Sequence, residues 1–236
     1  MSNIGREISV GIAREPERGT PEVSEYWIPW RSFDVEDKIV SIPDAQAYGV
    51  IEDSTGLRVV SKWAEGAISG VIRGDAIGVF ILAALGTPAG VSGSDASPTP
   101  GATAYEHVFT VLQEHQHPSF TIEVDDPFEA SPVAFPLAMI NSLEIVADIN
   151  EHVLFTANVM SLPSVATPVT AAYESISGTP NDFIAEDMEI RVADDYDELE
   201  IASPKAIKSV TLTIEKDLEK DDILGDASPT DFLNKT

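Results

Sequence analysis

Residues 62–86 have the sequence KWAEGAISGVIRGDAIGVFILAALG, and their hydrophobic period changes at Gly74. Residues 65–73 alternate between polar side chains and small or apolar ones, which predicts a half-buried β-strand. Residues 75–85 are apolar nearly all round and lie between Asp75, a favourable N-cap, and Gly86, a favourable helix stop, which predicts a short helix. Such a helix cannot cross a bilayer, which takes roughly 20 residues. We therefore expect it to pack against a sheet, with a second surface left for a neighbouring subunit.

The composition limits the classes of protein to which the chain can belong. The chain has 236 residues, enough to bury a core, and no cysteine, which excludes disulfides, thiolate metal sites and cysteine nucleophiles. Residues 1–19 hold no uninterrupted apolar run, so neither a signal peptide nor a membrane anchor is expected.

The charge balance is strongly acidic, with 14 Lys and Arg against 40 Asp and Glu and a net charge of −26. Specific nucleic-acid binding is not expected, because its affinity comes from basic patches. Three interpretations of the acidity stay open: a surface adapted to high salt, a match to a basic partner, and the wall of a passage through which a polyanion slides.

Alternating polar and apolar residues predict further strands. A hairpin is expected from residues 48–51 and 57–63, and other strands from residues 105–112, 119–125, 188–192 and 207–215. Residues 142–160 are expected to form two long antiparallel strands joined by a tight turn at residues 150–152. Residues 87–104 and 161–182 are predicted to be long loops, because Gly, Ser, Pro, Thr and Ala dominate their composition.

Both ends of the chain are predicted to lie outside this regular pattern. Residues 1–47 are expected to hold the first strands and an extended arm, in which Tyr26, Trp27 and Trp30 flank Pro29 and need a surface to cover them. Residues 216–236 are predicted to be a tail without a core of its own, with a helical turn at residues 219–224. The expected fold is one mainly β domain over residues 1–236, an antiparallel β-sandwich or barrel with one short packed helix.

No arrangement of side chains in the sequence predicts catalysis. His115 and His117 have strand spacing, but nothing supplies the third ligand of a metal site. The acidic clusters lack the spacing of a calcium loop, and no phosphate-binding loop is present. Ser92 lies between glycines without the strand, turn and helix of a nucleophile elbow. A hydrolase with paired carboxylates stays open only because carboxylates are numerous. We expect no enzyme, no cofactor and no metal site.

Several short stretches, in a fixed order, carry a resemblance to a known family. They are GIARE (11–15), RGT (18–20), YWIP (26–29), YGVIEDS (48–54), KWAEG (62–66), GVIR (70–73), LGT (85–87), QHPS (116–119), MINSLE (139–144), SVTLTI (209–214), DDILG (221–225) and DFLNK (231–235). They cover most of the chain except the two long loops. Together they resemble the major tail tube protein of long-tailed viruses whose tails do not contract.

The resemblance implies a structural virion protein, of a bacteriophage or an archaeal virus, that polymerises as stacked hexameric rings into the tail tube. It implies an inner sheet that contributes to a barrel shared between subunits. The implied partners are other copies of the chain, a tape-measure protein, a tail terminator, and baseplate or tip proteins. DNA would pass through the lumen during ejection without specific binding, and no membrane would be involved. The implied location is the virion tail, after assembly in the host cytoplasm.

Candidate residues follow from placing the alternating strands in such a tube. Acidic side chains on polar strand faces are candidates for facing the lumen, although the same positions would otherwise face bulk solvent: Glu65, Glu123, Glu144 and Asp148. The arm and the first long loop supply the candidates for contacts between subunits or rings: Tyr26, Trp27, Trp30, Ser92 and Pro98. The chain is more acidic than is typical of the family, which fits a halophilic host.

Two other functions stay open at this point. One is a tube subunit of a contractile tail or of an injection or secretion machine, which would share the fold and the ring symmetry. The other is an acidic β-sandwich that acts as a binding module.

Overall fold

The strands and the helix are defined in a computed structural model that describes residues 7–44, 49, 51, 56–74, 77–86, 109–127, 129, 131–167, 182–195, 198 and 201–235. The elements are β1 Ser9–Arg14, β2 Tyr26–Trp27, β3 Ser32–Phe33, β4 Glu36–Pro43, β5 Leu57–Val71, α1 Ile77–Leu85, β6 Phe120–Asp125, β7 Val133–Asp148, β8 Leu154–Ser161, β9 Val165–Ala166, β10 Ser209–Glu215, β11 Leu218–Asp221 and β12 Asp231–Asn234. The prediction of a mainly β protein with one short helix is confirmed.

Ten of these strands form one antiparallel sheet that is not closed into a barrel. The described strands follow the order β2-β1-β6-β7-β8-β5-β3, with β9 and β10 also on β7 and β4 also on β5. The two end strands, β2 and β3, are joined by residues 28–31, which bond on one side to β1 through the Ile28 amide and on the other to β5 through the Arg31 amide. The aromatic arm therefore bridges the two ends of the sheet without completing a ladder between them.

Strand β7 belongs to both halves of this sheet. Its first part pairs with β6 and β9, and its second part pairs with β8 and β10. We call β1, β2, β6, β9 and the start of β7 the first half, and the end of β7 with β3, β4, β5, β8 and β10 the second half. Leu137 lies between the two parts with a φ of 53°, a left-handed conformation that is unfavourable for a branched side chain. The shared core is built where side chains of both halves meet, as in Ile12, Ile68 and Phe155.

The buried carboxylate of Glu15 holds this bend in place. Its Oε1 accepts hydrogen bonds from the Leu137 amide at 2.7 Å and from the Thr121 hydroxyl at 2.9 Å. Its Oε2 accepts bonds from the Ser119 hydroxyl at 2.6 Å and from the Gly19 amide at 2.8 Å. Four donors from three parts of the chain therefore satisfy one carboxylate that is otherwise removed from water.

The helix α1 covers the inner face of the second half, as predicted. Phe80 packs against Phe155 of β8 with 4.7 Å between ring centroids. Gly86 ends the helix with a φ of 65°, and a side chain at that position would collide with the ring of His117. The Lys216 Nζ donates to the Ala83 carbonyl at 2.6 Å, which places a cation at the negative end of the helix. The predicted N-cap, Asp75, lies outside the described residues.

Most strand predictions are confirmed, and four are corrected. The partner of residues 57–63 is β4 rather than residues 48–51. Of the predicted strand 105–112, residues 105–108 lie outside the described residues, and residues 109–112 form no strand because the Leu112 amide bonds to the Leu85 carbonyl at the end of the helix. Residues 188–192 also form no strand, since the carbonyl of Ile190 bonds to the amide of Lys205, which is not in a strand either. Residues 218–221 form strand β11 instead of a helical turn.

The C-terminal residues also have a core, contrary to the prediction. β11 and β12 form a hairpin whose Phe232 is fully buried against Leu137 and Met139. Arg18 fastens this hairpin to the N-terminal part of the chain through an ion pair with Asp231. The hairpin therefore packs on the outer face of the sheet at the bend in β7.

Replacing Glu15 by Ala should lower the free energy of unfolding by roughly 3 kcal/mol or more, because several buried donors lose their acceptor at once. Urea unfolding followed by circular dichroism measures this change. The matched control is Glu17→Ala, which removes a nearby exposed carboxylate and should change stability by less than about 0.5 kcal/mol. Equal effects of the two substitutions would contradict the role given to Glu15.

Lys216 should make the protein more stable at alkaline pH. Burial lowers the pKa of Lys216 from 10.5 to about 8 in the folded protein. Between these pH values the unfolded chain holds a proton that the folded protein has released, so the free energy of unfolding rises with pH, by at most about 3 kcal/mol. The measurement is the difference in urea unfolding between the wild type and Lys216→Met as pH increases. The difference should be flat below about pH 8, and a fall above that pH would contradict the prediction.

Candidate assembly surfaces

The second half of the sheet has one face that α1 and the core do not cover. Its register aligns Ser69, Thr156, Glu144 and Thr213 in one row across β5, β8, β7 and β10. The side chains that alternate with them point inward and are buried, as Leu143 shows. We call this surface the polar face, since hydroxyl, amide and carboxylate groups make up most of it. The C-terminal hairpin covers only the part near Trp63 and Met160.

Three of the four acidic candidates belong to the polar face. Glu144 is in the row just described, and Asp148 follows it on the same side of β7. Glu65 lies on the corresponding side of β5, where its Oε2 accepts a hydrogen bond from the Trp63 indole at 2.9 Å.

The fourth acidic candidate has to be removed from the lumen-facing set. Glu123 has 1% of its surface exposed, and its Oε2 accepts hydrogen bonds from the Ser24 hydroxyl at 2.8 Å and amide at 3.3 Å. The alternation in β6 was interpreted as one covered face and one solvent-facing face. Residues of the arm cover the second face as well, so the side chain of Glu123 is buried against the arm and is not exposed to water.

The polar face is bordered by β10 on one side, and by β3 with the first residues of β4 on the other. In the described part of the chain β10 pairs only with β7, and β3 and β4 pair only with β5. Each strand therefore presents one edge of backbone donors and acceptors without a strand partner. Leu212 of β10 belongs to the inward-facing side chains of its strand, because the outward residues Thr211 and Thr213 flank it. It nevertheless has 55% of its surface exposed. Edges of this kind pair readily with a strand of another chain.

The hairpin of β4 and β5 extends beyond the rest of the sheet. Since β8 ends opposite Ala64, residues 38–43 and 57–62 have only each other as strand partners among the residues that the structure describes. We call these two ranges the finger. Its apolar side chains have between 42% and 73% of their surface exposed: Ile39, Val40, Ile42, Leu57, Val59 and Val60. So much exposed apolar area in one place marks an interaction surface.

The other contact candidates have mixed positions. Tyr26 is exposed, whereas Trp27 is half-buried near Gly11. Trp30 packs against the core, and its indole donates to the Ile8 carbonyl at 3.0 Å. Ser92 and Pro98 lie outside the described residues. Sequence reasoning missed the finger, although the apolar residues in IVSIP (39–43) and LRVV (57–60) were a usable signal.

Of the two histidines with strand spacing, His117 is buried beside Gly86 at the end of α1, whereas His115 is exposed and lies against the C-terminal hairpin. His115 Nδ1 lies 3.0 Å from the Asn234 carbonyl, and His117 Nε2 lies 3.1 Å from the Leu112 carbonyl. Burial lowers the pKa of His117, and the charge of Lys216 lowers it further. Among the residues that the structure describes, no group of three His, Asp or Glu side chains is placed to hold a metal ion.

The described helix offers no membrane-spanning segment, since none is long and apolar enough. Comparison with protein-family models and with curated protein sequences found no match.

The finger should contribute little to the stability of its own subunit. Ile42→Thr is expected to change the free energy of unfolding by less than about 0.5 kcal/mol, because Ile42 is more than half exposed. The matched substitution Ile68→Thr, in the core part of β5, should cost about 2 kcal/mol or more. Urea unfolding at low protein concentration measures both changes. A large loss from Ile42→Thr would mean that the finger packs on its own subunit.

Proposed function

We propose that this protein is the structural subunit of a viral tail tube of the non-contractile type, assembled as stacked hexameric rings. The observation that carries the proposal is the polar face bordered by two open edges. An isolated domain has no use for two such edges, which invite uncontrolled pairing unless neighbours cover them. The family resemblance of the sequence stretches supports the same conclusion.

In the proposed ring, the β10 edge of one subunit meets the edge that β3 and the first residues of β4 form in the next subunit. Repeating this contact around an axis joins the second halves of all subunits into one barrel, and a closed ring leaves no edge free. The barrel that the single chain does not complete is then completed by its neighbours. Leu212, exposed in one subunit, becomes buried in the contact.

The chemistry of the polar face suits a wall along which DNA moves. Between β5 and β10, the outward positions Ser69, Thr156, Glu144 and Thr213 hold hydroxyl groups and a carboxylate. The affinity of a protein for DNA depends on Lys and Arg side chains that neutralise phosphates, whereas a carboxylate repels the phosphates. A wall of this composition lets a polyanion pass without holding it. Before ejection the lumen would hold a tape-measure protein, and terminator and tip proteins would close the ends.

This role is a structural one and needs no catalytic activity. Two alternative functions would use the same features differently. A tube subunit of a contractile tail or secretion machine would also form rings, and would differ by needing a sheath around it. A binding module would stay monomeric and would use the finger or the polar face for a receptor.

Negative-stain electron microscopy of the purified protein, in low and in molar salt, tests the proposal. We expect rings or hollow tubes with six-fold end views. Leu212→Lys should prevent ring formation, because it places a charge in the contact between β10 and the β3 edge of the next subunit. The control Ile223→Lys changes an exposed residue outside the sheet and should leave the rings intact. Monomers of the wild type in both salts would reject the tube and favour the binding module.

A further inference from the structure

Among the strands that the structure describes, the outward positions of the polar face hold one basic side chain. It belongs to Lys38, which lies directly opposite Trp63 at the base of the finger. A lysine is unexpected on a wall along which DNA moves, because its charge binds phosphate. The surroundings of Lys38 therefore decide whether DNA can use that charge. Carboxylates are more frequent at the outward positions: Glu36, Glu65, Glu144, Asp148 and Glu215.

The carboxylate of Glu36 holds the ammonium group of Lys38. Both side chains lie on the same side of β4, and the Lys38 Nζ donates to the Glu36 Oε1 at 2.6 Å. Glu65, directly opposite Glu36 on β5, brings a second carboxylate to the same place. The hydrogen bond to Glu36 raises the pKa of Lys38, and the charges of Glu65 and Asp34 add to this effect. Lys38 therefore keeps its proton but is outnumbered by the carboxylates around it.

A second lysine near the polar face also has a partner for its charge. The Lys220 Nζ, from the C-terminal hairpin, lies 3.6 Å from the centre of the Trp63 ring, which is a cation–π contact. The indole of Trp63 in turn donates to the carboxylate of Glu65. Lys38 and Lys220 are thus both engaged by side chains of the same subunit.

Stability does not account for the pair of Glu36 and Lys38. Their side chains are 69% and 36% exposed, and an exposed ion pair stabilises a fold little. The effect on an approaching phosphate is larger, since the phosphate is repelled by the carboxylate that already neutralises the lysine. We propose that Glu36 masks Lys38 and thereby prevents the wall of the tube from binding DNA. This inference rests on the proposed tube function and adds to it the residue that silences a basic position.

The masked lysine lies where a polyanion can reach it. It lines an open cleft of the polar face together with Glu36, Glu65, Asn141 and Asn158. In a ring every copy would present Lys38 at the same level, and stacked rings would repeat it along the lumen. Weak contacts of one DNA molecule with many copies multiply into strong retention. Masking in every copy is therefore what free passage requires.

Removing the mask in assembled tubes tests the inference. The test variant is Glu36→Ala. The matched control is Glu144→Ala, which removes a carboxylate of the same face that is not paired with a described lysine and so measures the loss of repulsion alone. A third protein combines Glu36→Ala with Lys38→Ala. Co-sedimentation of the tubes with a fluorescent duplex of about 20 base pairs measures DNA binding, in a salt series that starts at the lowest concentration at which the tubes stay intact.

Tubes of Glu36→Ala should bind the duplex about tenfold more tightly than tubes of Glu144→Ala, and this binding should weaken as salt rises, because a free lysine displaces counterions from DNA. Tubes of the combined variant should bind no more than the control, and wild-type tubes should bind least. The salt dependence distinguishes a freed lysine from a mere change in the shape of the wall. If Glu36→Ala does not assemble, Glu36→Gln takes its place, since it removes the charge and keeps the size of the side chain.

Equal binding by Glu36→Ala and Glu144→Ala would overturn the masking role of Glu36. Equal binding by Glu36→Ala and the combined variant would overturn it too, because the DNA would then be held by something other than Lys38. Both results are obtained with intact tubes and so differ from a failure of the tube function, in which the wild type forms no rings at all.

Discussion

One buried carboxylate sets the geometry on which the rest of the molecule depends. Glu15 accepts four hydrogen bonds, and one of them comes from the amide of Leu137, which has a left-handed backbone at the point where β7 passes from one half of the sheet to the other. Without that acceptor the left-handed residue would have an unsatisfied buried amide in addition to its conformational strain. The bend lets both halves contribute to one core, and it turns the polar face away from that core.

The packing around the bend explains why the surfaces stay exposed. The inner face of the second half is occupied by α1 and by the arm, and the C-terminal hairpin covers the outer face only near the bend. No other described element covers the outer face further along β7, β8 and β10. The edge strands are irregular for a local reason: the backbone of Asp34 and Val35 crosses so close to Gly66 that a Cβ there would lie 2.4 Å from the Asp34 carbonyl oxygen. The edge nevertheless continues from β3 into β4.

Strands could be predicted from the sequence where one of their faces is buried and the other is exposed to solvent. In β7 and β8 this contrast repeats every second residue, so both strands, their turn and the inward side chains Leu143 and Ala157 could be predicted. Strand β4 could not, because both of its faces are exposed and EDKIVSIP has no period-two contrast. The position of Glu123 was not predictable either, since it depends on Ser24, 99 residues earlier. The hairpin at Phe232 likewise depends on Leu137 and Met139, which are distant in the chain.

The finger extends from only one end of the sheet, and this asymmetry gives an assembly built from it a direction. A stack of copies that all point the same way would present fingers at one extremity and none at the other. Growth would then proceed from two chemically different ends. A protein that starts such a tube and a protein that stops it would need unlike surfaces, so a single capping factor could not serve both ends.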